Sequence, residues 1–388
     1  MALRYVREGI RAFTQEATLP YICSNAFGRL PLVYFLAMRS GQTSKSDTRL
    51  GRIGQAAILG GTKLSKAKQD SLKGSVIKVD IHTGEVDDSK EMGSGDTRPT
   101  ATTPHDENYG QAEFRKSRLA TPIKVKHSAL EEALNMGNSG SSDRAVKQLW
   151  RNATDAAMAK HISRHARELW FGGVVNPTDS VDYTFSQNVQ PWPRKLGLLS
   201  AMHTTNVYGR VNRAGLPAGS PWLSRRVTDA FAPDIFEVVD EANLPNDSSI
   251  QAASDSGVGD GYVSLVLCTR KQFRKYKRQA RAQGHKYWPE GIPEMAELGF
   301  RREIIQVDNT YVTWDPLCPA GYAACLNLGT WAFATNDKWN FKTTDPASMC
   351  DNGQAGGEEA DQAFVITESC LVNWSPYANV LFTNIQET

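Results

Sequence analysis

His161 and His165 stand four residues apart in KHISRHARELW, and a helix places both imidazoles on one face, the geometry of a two-histidine metal site. The residues between them are Ile162, Ser163 and Arg164, so the glutamate of H-E-x-x-H is absent and no third ligand suggests itself. The pair therefore reads as solvated or interface-facing. Glycines ahead of Lys63 in GQAAILGGTKLSK invite a phosphate loop, but Thr62 precedes the lysine and Leu64 follows it, where G-x-x-x-x-G-K-[ST] requires glycine and then serine or threonine. Gly257, Gly259 and Gly261 in GVGDGY miss the G-x-G-x-x-G spacing and read as a turn before a strand. With no Ser/His/Asp arrangement, placeable carboxylate pair or metal cluster, the expectation is a non-enzyme without a cofactor.

One run carries a more definite chemistry. KQFRKYKRQARAQGHKYW interleaves Lys271, Arg274, Lys275, Lys277, Arg278, Arg281 and Lys286 with Phe273, Tyr276, Tyr287 and Trp288, a combination able to bind a phosphate backbone. Helical spacing puts Phe273, Tyr276 and Ala280 on a core side and the charges on the other, which is also the pattern of a solvated or subunit-contacting helix.

Among the elements that must position such groups, the longest is SSDRAVKQLWRNATDAAMAKHISRHARELWFGG, Ser141 to Gly173. No proline interrupts it; Ser141 or Ser142 can cap its first N–H groups, and Gly172 can take the left-handed stop. Leu149, Ala153, Ala156 and Ala157 mark one flank, and Met158, Ile162, Ala166 and Leu169 continue an apolar stripe in steps of three and four. Asp143 near the start and Arg164, His165 and Arg167 near the end suit the helix dipole. At 1.5 Å per residue the helix is roughly 40 Å long, a spine rather than a domain-sized element.

The chain has 388 residues, 40% hydrophobic and 22% charged, with a net charge of +2, so it has ample length for a large core and shows no global demand for nucleic acid. MALRYVREGIRAF lacks the apolar stretch of a signal peptide, and no run approaches the ~20 apolar residues of a spanning helix. A chain made and kept in cytoplasm, with no membrane partner, is expected. The cysteines, Cys23, Cys268, Cys318, Cys325, Cys350 and Cys370, form no C-x-x-C pair and read as reduced, partly buried thiols.

In order, residues 1–39 hold two short amphipathic patterns, Val6 to Phe13 and Leu30 to Met38, too little for a core and suited to an arm lying against something else. From Ser40 to Thr121 the composition turns to Gly, Ser, Thr, Asp and Lys, with extended pieces at Gly54–Leu59, Ser75–Asp80 and Ala112–Leu119; so few apolar residues imply support from neighbouring subunits. Pro122–Val125 reads as a strand and ALEEALNM as a short helix before the spine. Arg226–Asn243 carries a helical pattern; Tyr262–Cys268 reads as a buried strand and Thr269–Gln283 as a helix. Strands follow at Phe300–Val307, Tyr311–Asp315, Tyr322–Leu328, Trp331–Thr335, Phe364–Trp374 and Asn379–Ile385.

This order resembles the Hong Kong 97-type major capsid protein of tailed bacteriophages. LATPIKVKHSALEEALNMGNSGSSDRAVKQLW resembles the approach to that family's spine helix, and GLLSAMHTTNVYGRVNRAGLPAGSPWLSR the passage after it. VDNTYVTWDPLCPAGYAACLNLGTWAF resembles its late hairpin, and VNWSPYANVLFTNI its closing strand. The resemblance covers most of residues 110–388. It implies an α+β fold with an N-arm at 1–39, an extended loop at 40–122, a peripheral domain at 123–226 and 346–388 carrying the spine helix 143–171, and an axial domain at 227–345. It also implies a subunit that assembles with itself as hexamers and pentamers into an icosahedral head shell. Its further partners would be a separate scaffolding protein, a portal, a decoration protein in some members, and packaged double-stranded DNA held by non-specific contact. The location would be the virion capsid, assembled in the host bacterial cytoplasm. Arg151, Lys160 and Arg164 on the spine and Arg4, Arg7 and Arg11 in the arm are the candidates for facing DNA, with inter-subunit salt bridging as their other reading. Some members cross-link through a loop lysine; Lys63, Lys66, Lys68, Lys73 and Lys78 could serve, but no partner asparagine or assisting acid is identified and no cross-link is expected. The alternatives are an encapsulin-like compartment, a soluble α/β enzyme, or a nucleic-acid-binding module.

Overall fold

The computed structural model describes residues 30–32, 35–36, 76–82, 109–126, 128–129, 131–132, 139–173, 196–216, 220, 222–228, 234–243, 263–284, 286–289, 302–307, 310–335, 342–343, 347–348 and 360–385. Its elements in chain order are β1 (Val76–His82), β2 (Tyr109–Arg115), β3 (Ser117–Lys126), α1 (Ser139–Phe171), α2 (Leu198–Ala201), β4 (Val207–Tyr208), β5 (Val211–Asn212), β6 (Arg225–Thr228), α3 (Ile235–Asn243), β7 (Leu265–Cys268) and α4 (Arg270–Ala282). There follow β8 (Lys286–Trp288), β9 (Ile304–Val307), β10 (Thr310–Trp314), β11 (Ala323–Leu326), β12 (Trp331–Thr335), β13 (Lys342–Thr343), β14 (Ala347–Ser348), β15 (Ala360–Asn373) and β16 (Val380–Thr383). The class is mixed α+β. The expected pieces at Gly54–Leu59, around Lys63 and at Gly257–Gly261 lie outside the described residues, as do Cys23 and Cys350.

The spine is α1, 33 residues and about 50 Å at 1.5 Å per residue. It begins at Ser139, so Ser141 and Ser142 sit inside its first turn instead of capping it. The left-handed residue after it is Gly173, at φ +85°, not Gly172. The dipole complement also fails: the first turn holds no acid and the last turn no base, because Asp143, Arg164 and Arg167 all fall further in. The apolar stripe is as spaced, with Met158, Ile162, Ala166 and Leu169 buried together with Val146 and Trp150, while Ala156 turns outward.

That stripe lies on a five-stranded sheet in which β15 is paired on one side by β3 and on the other by β12, β13 and β14. Ile123, Val125, Ala363 and Val365 meet the helix. Pro122 does not start a strand but lies within β3, which is tolerated because β3 is at the sheet's edge among the described strands and the missing N–H faces none of them. The two histidines are not solvated. His161 is fully buried, with its Nδ1 2.8 Å from Thr121 Oγ1 of β3 and its Nε2 hydrogen-bonded to Thr367 Oγ1 of β15, and His165 is buried one turn on. Facing the sheet, an imidazole's one donor and one acceptor are matched by two hydroxyls.

The second sheet runs β6-β16-β11-β7-β10-β9-β8. Alternation along β7 sends Val266 and Cys268 to one face, under α3 and α4, and Leu265 and Leu267 to the other. Both faces are covered, which is why YVSLVLC reads as an unbroken apolar run. Arg225–Thr228 is a strand paired in parallel with β16, not the start of a helix. The helix begins only after Asp234, whose carboxylate accepts from Phe236 N while Glu237 accepts from Asp234 N. α4 is capped by Thr269, whose Oγ1 accepts from Gln272 N, and it buries Phe273, Tyr276 and Ala280 as spaced.

Two short connections run directly from one sheet to the other, β11 to β12 and β15 to β16, and Asn379 ties these two crossings together. Its Oδ1 accepts from Asn327 N at 2.9 Å and Trp331 Nε1 at 2.7 Å, and its Nδ2 donates to Thr330 Oγ1 and Ser375 O, both at 3.0 Å. Aspartate at this position keeps the shape but loses both donations and buries a charge. Asn379→Asp should therefore destabilise the chain by about 3 kcal/mol or more in urea unfolding; unchanged unfolding would show that the crossings do not depend on this side chain.

Candidate assembly joint

The apolar cluster between the face of the seven-stranded sheet opposite α4 and strands β12 and β15 is where the arm, the end of the spine and the extended loop are rooted. Asp315, at the end of β10, is almost fully buried; one carboxylate oxygen accepts from Leu317 N at 2.8 Å and the other from Leu32 N in the arm at 3.1 Å. Burial pushes its carboxyl above the ordinary range, opposed by those two backbone donations. Leu32, Phe35 and Leu36, in helical conformation, are buried in the same cluster as Trp170 near the spine's end. Gly197 closes that end: its N–H donates to Gly172 O at 2.8 Å, and a Cβ on it would lie 2.5 Å from Gly172 N. Only glycine permits the approach.

β1 and β2 form a separate antiparallel ribbon, Val76 opposite Arg115 and His82 opposite Tyr109. Its apolar face, Ile77, Val79, Ile81, Ala112 and Phe114, is buried in this same cluster, while Lys78 and Asp80 face out. The described part of the loop thus rests on its own subunit, against the expectation that neighbours supply its support. The seat is the tight hairpin β4–β5, whose turn residues Gly209 and Arg210 both have positive φ, +57° and +66°. Gly209 O accepts from Glu113 N at 2.9 Å, and Arg210 forms an ion pair with Glu113 at 2.6 Å. A Cβ on Gly209 would meet the Phe114 ring at 2.8 Å.

Beneath the hairpin lies Arg213, buried to 1% exposure. Its Nη1 donates to His203 O at 2.5 Å and lies 3.3 Å from Asn206 Oδ1, and its guanidinium carbon stands 4.5 Å from the centre of the Tyr208 ring. Burial pulls the guanidinium down to about 9, with Tyr208 acting against the shift, so it stays charged at neutral pH. Nε and Nη2 have no hydrogen-bond partner among the described residues, and the aromatic faces of Tyr208 and Trp222 take up that role. The Tyr208 hydroxyl in turn accepts from Asn373 N at 3.0 Å, linking the hairpin to β15.

Arg151, Lys160 and Arg164 are all on the exposed side of α1, and Arg164 pairs with Glu168 at 3.6 Å. Arg4, Arg7 and Arg11 lie outside the described residues. Cys268, Cys318, Cys325 and Cys370 are free and buried. Among the described residues there is no group of three or more metal-ligating side chains, and no helix is long and apolar enough to cross a membrane. Sequence reasoning missed Asp315, Arg213 and Asn379. The signals were present as Asp-Pro after a strand, an arginine among Tyr208 and Trp222, and Asn shortly after Ser-Pro, but each acts through residues distant in the chain.

No protein-family model matches the chain, and no curated protein matches it in sequence. Several solved structures similar to it are of capsids or an encapsulin. The cyanophage A-1(L) capsid asymmetric unit is similar over 81% of this chain and 89% of its own, at 14% identity and a TM-score of 0.49. The holo-SrpI encapsulin complex from Synechococcus elongatus PCC 7942 is similar over 81% and 84%, at 11% identity and 0.45. The capsid of a native GTA particle is similar over 80% and 85%, at 12% identity and 0.42. The likeness is one of fold.

Two substitutions test the joint. Gly209→Ala adds a clash to a positive φ and should cost about 1–3 kcal/mol, read as a lower urea midpoint; a wild-type midpoint would mean the hairpin does not seat the ribbon. Asp315 binds its proton more tightly when folded, so its contribution to stability falls as pH rises from the ordinary carboxylate range through its raised value, and is level above it. The stability difference between wild type and Asp315→Asn should follow that fall, and a difference constant with pH would refute the burial argument.

Proposed function

We propose that this chain is the major capsid protein of a tailed bacteriophage, a Hong Kong 97-type subunit that assembles with itself into the icosahedral shell around double-stranded DNA. The observation that carries the reading is the joint: the arm, the end of the spine and the ribbon are all rooted in one apolar cluster shared by the two sheets, an economical way to hold parts that must reach other subunits. The element order agrees with the sequence resemblance, and the role is structural. The working division is an arm at 1–39, an extended loop at 40–122, a peripheral domain at 123–226 and 346–388, and an axial domain at 227–345; the two sheets exchange strands across it, since β12 and β13 pair with β15 while β16 lies beside β11.

A shell subunit gains its stability from area buried repeatedly in symmetric contacts, so arms and loops that extend each contact matter more than any single site. The partners proposed are further copies as hexamers and pentamers, a separate scaffolding protein, a portal, a decoration protein and the packaged DNA. Assembly takes place in the host bacterial cytoplasm and the product resides in the virion. Arg151, Lys160 and Arg164, with Arg4, Arg7 and Arg11, face the DNA in this reading.

Negative-stain microscopy of the purified chain, alone and with a scaffolding protein, should show closed shells; a stable monomer that never assembles would overturn the proposal. Replacing residues 83–108 by Asn-Gly keeps β1 and β2 and supplies a two-residue turn between them. This variant should unfold like wild type but fail to give stable shells, and shells of normal stability would show the loop assignment to be wrong.

A further inference from the structure

α4 carries seven basic residues and no acid in 13 positions. The chain's net charge is only +2, so everything outside this helix sums to −5. Lys271, Arg274, Arg278 and Arg281 are exposed and recur at steps of three, four and three, one stripe about 15 Å long at 1.5 Å per residue. Lys271, Arg274 and Arg278 have no ion-pair partner among the described residues, whereas Lys277 pairs with Glu303 at 3.0 Å.

The nearby aromatics are not presented to a ligand. Phe273 and Tyr276 are buried under the sheet. Lys277 and Arg281 stand 4.6 and 4.7 Å from the centre of the Tyr287 ring, and Arg270 and Arg302 stand 5.2 and 4.1 Å from that of Trp314. A single-strand site stacks bases on open aromatic faces. A row of cations without such faces fits the phosphates of a duplex, which carries one charge per about 1.7 Å of axis. A contact with another protein would ordinarily mix signs and deplete lysine at its centre.

We infer that the outer face of α4 is a sequence-independent phosphate contact for double-stranded DNA. This rests on the capsid reading. It is separate from the arm and spine set, because α4 covers the face of the sheet opposite the one where the arm and the spine's end are seated.

The test is binding of the full chain to a short mixed-sequence duplex across a salt series, with wild type compared to Lys271→Gln/Arg274→Gln/Arg278→Gln/Arg281→Gln. Each phosphate that is no longer neutralised should take about 0.9 off the slope of log affinity against log salt, so the variant's slope should be shallower by roughly 3 to 4. If the quadruple variant does not fold, Lys271→Gln/Arg278→Gln should reduce the slope by roughly 2. An unchanged slope overturns the inference, as does polyglutamate competing as well as duplex DNA, which would mark an acidic protein partner. A folded variant that binds DNA less but no longer forms shells would also overturn it, since the stripe would then be a subunit contact. Failure of wild type to form shells sinks the capsid reading instead, and microscopy reads that separately.

Discussion

Asn379 is the smallest part of this structure on which most of the rest depends. The two sheets share no strand pairing, and the two short crossings between them, β11 to β12 and β15 to β16, turn on the four hydrogen bonds of one buried amide. A buried amide with every donor and acceptor used specifies a single arrangement, because any shift of one crossing leaves polar groups unmatched on the other. The spine's stripe lies on the five-stranded sheet and the arm is tied to Asp315 at the end of β10 in the other, so the crossings held by Asn379 help fix their relative placement.

The joint adds a second kind of constraint. The described arm residues are too few for a core of their own and the ribbon has only two strands, and a lone two-stranded hairpin is marginal in water. Each is held by apolar burial in the common cluster plus one directional contact at its root: Leu32 N on Asp315, and Glu113 on Gly209 and Arg210. Burial makes the attachment strong and the polar contact fixes the direction in which each segment leaves. For a shell subunit, direction is what decides which neighbour is reached.

Long elements with simple periodicity were legible in the sequence. The spine's stripe at Met158, Ile162, Ala166 and Leu169, the core side of α4, and the apolar run of β7 follow from spacing alone. What spacing could not settle was which neighbour a face meets. His161 lies on the same helix face as the apolar stripe, yet its polarity argued for solvent; two threonines from β3 and β15, some 40 and 206 residues away, reverse that. Arg226–Thr228, read as the start of a helix, is in a strand whose partner comes from the far end of the chain. Asp315, Arg213 and Asn379 were hidden for the same reason, since a satisfied buried polar residue is defined by contacts that are non-local.

The edge strand β3 turns Arg118, Ala120, Pro122, Lys124 and Lys126 outward and buries the residues between them. An open strand edge invites any other extended chain to add itself, and a protein that accumulates in many copies meets such chains constantly. The proline removes a donor in mid-strand and the cations repel a second copy of the same edge. In the proposed capsid reading, a molecule whose work is to associate thereby has a border where association is refused, which leaves the other surfaces to choose the geometry.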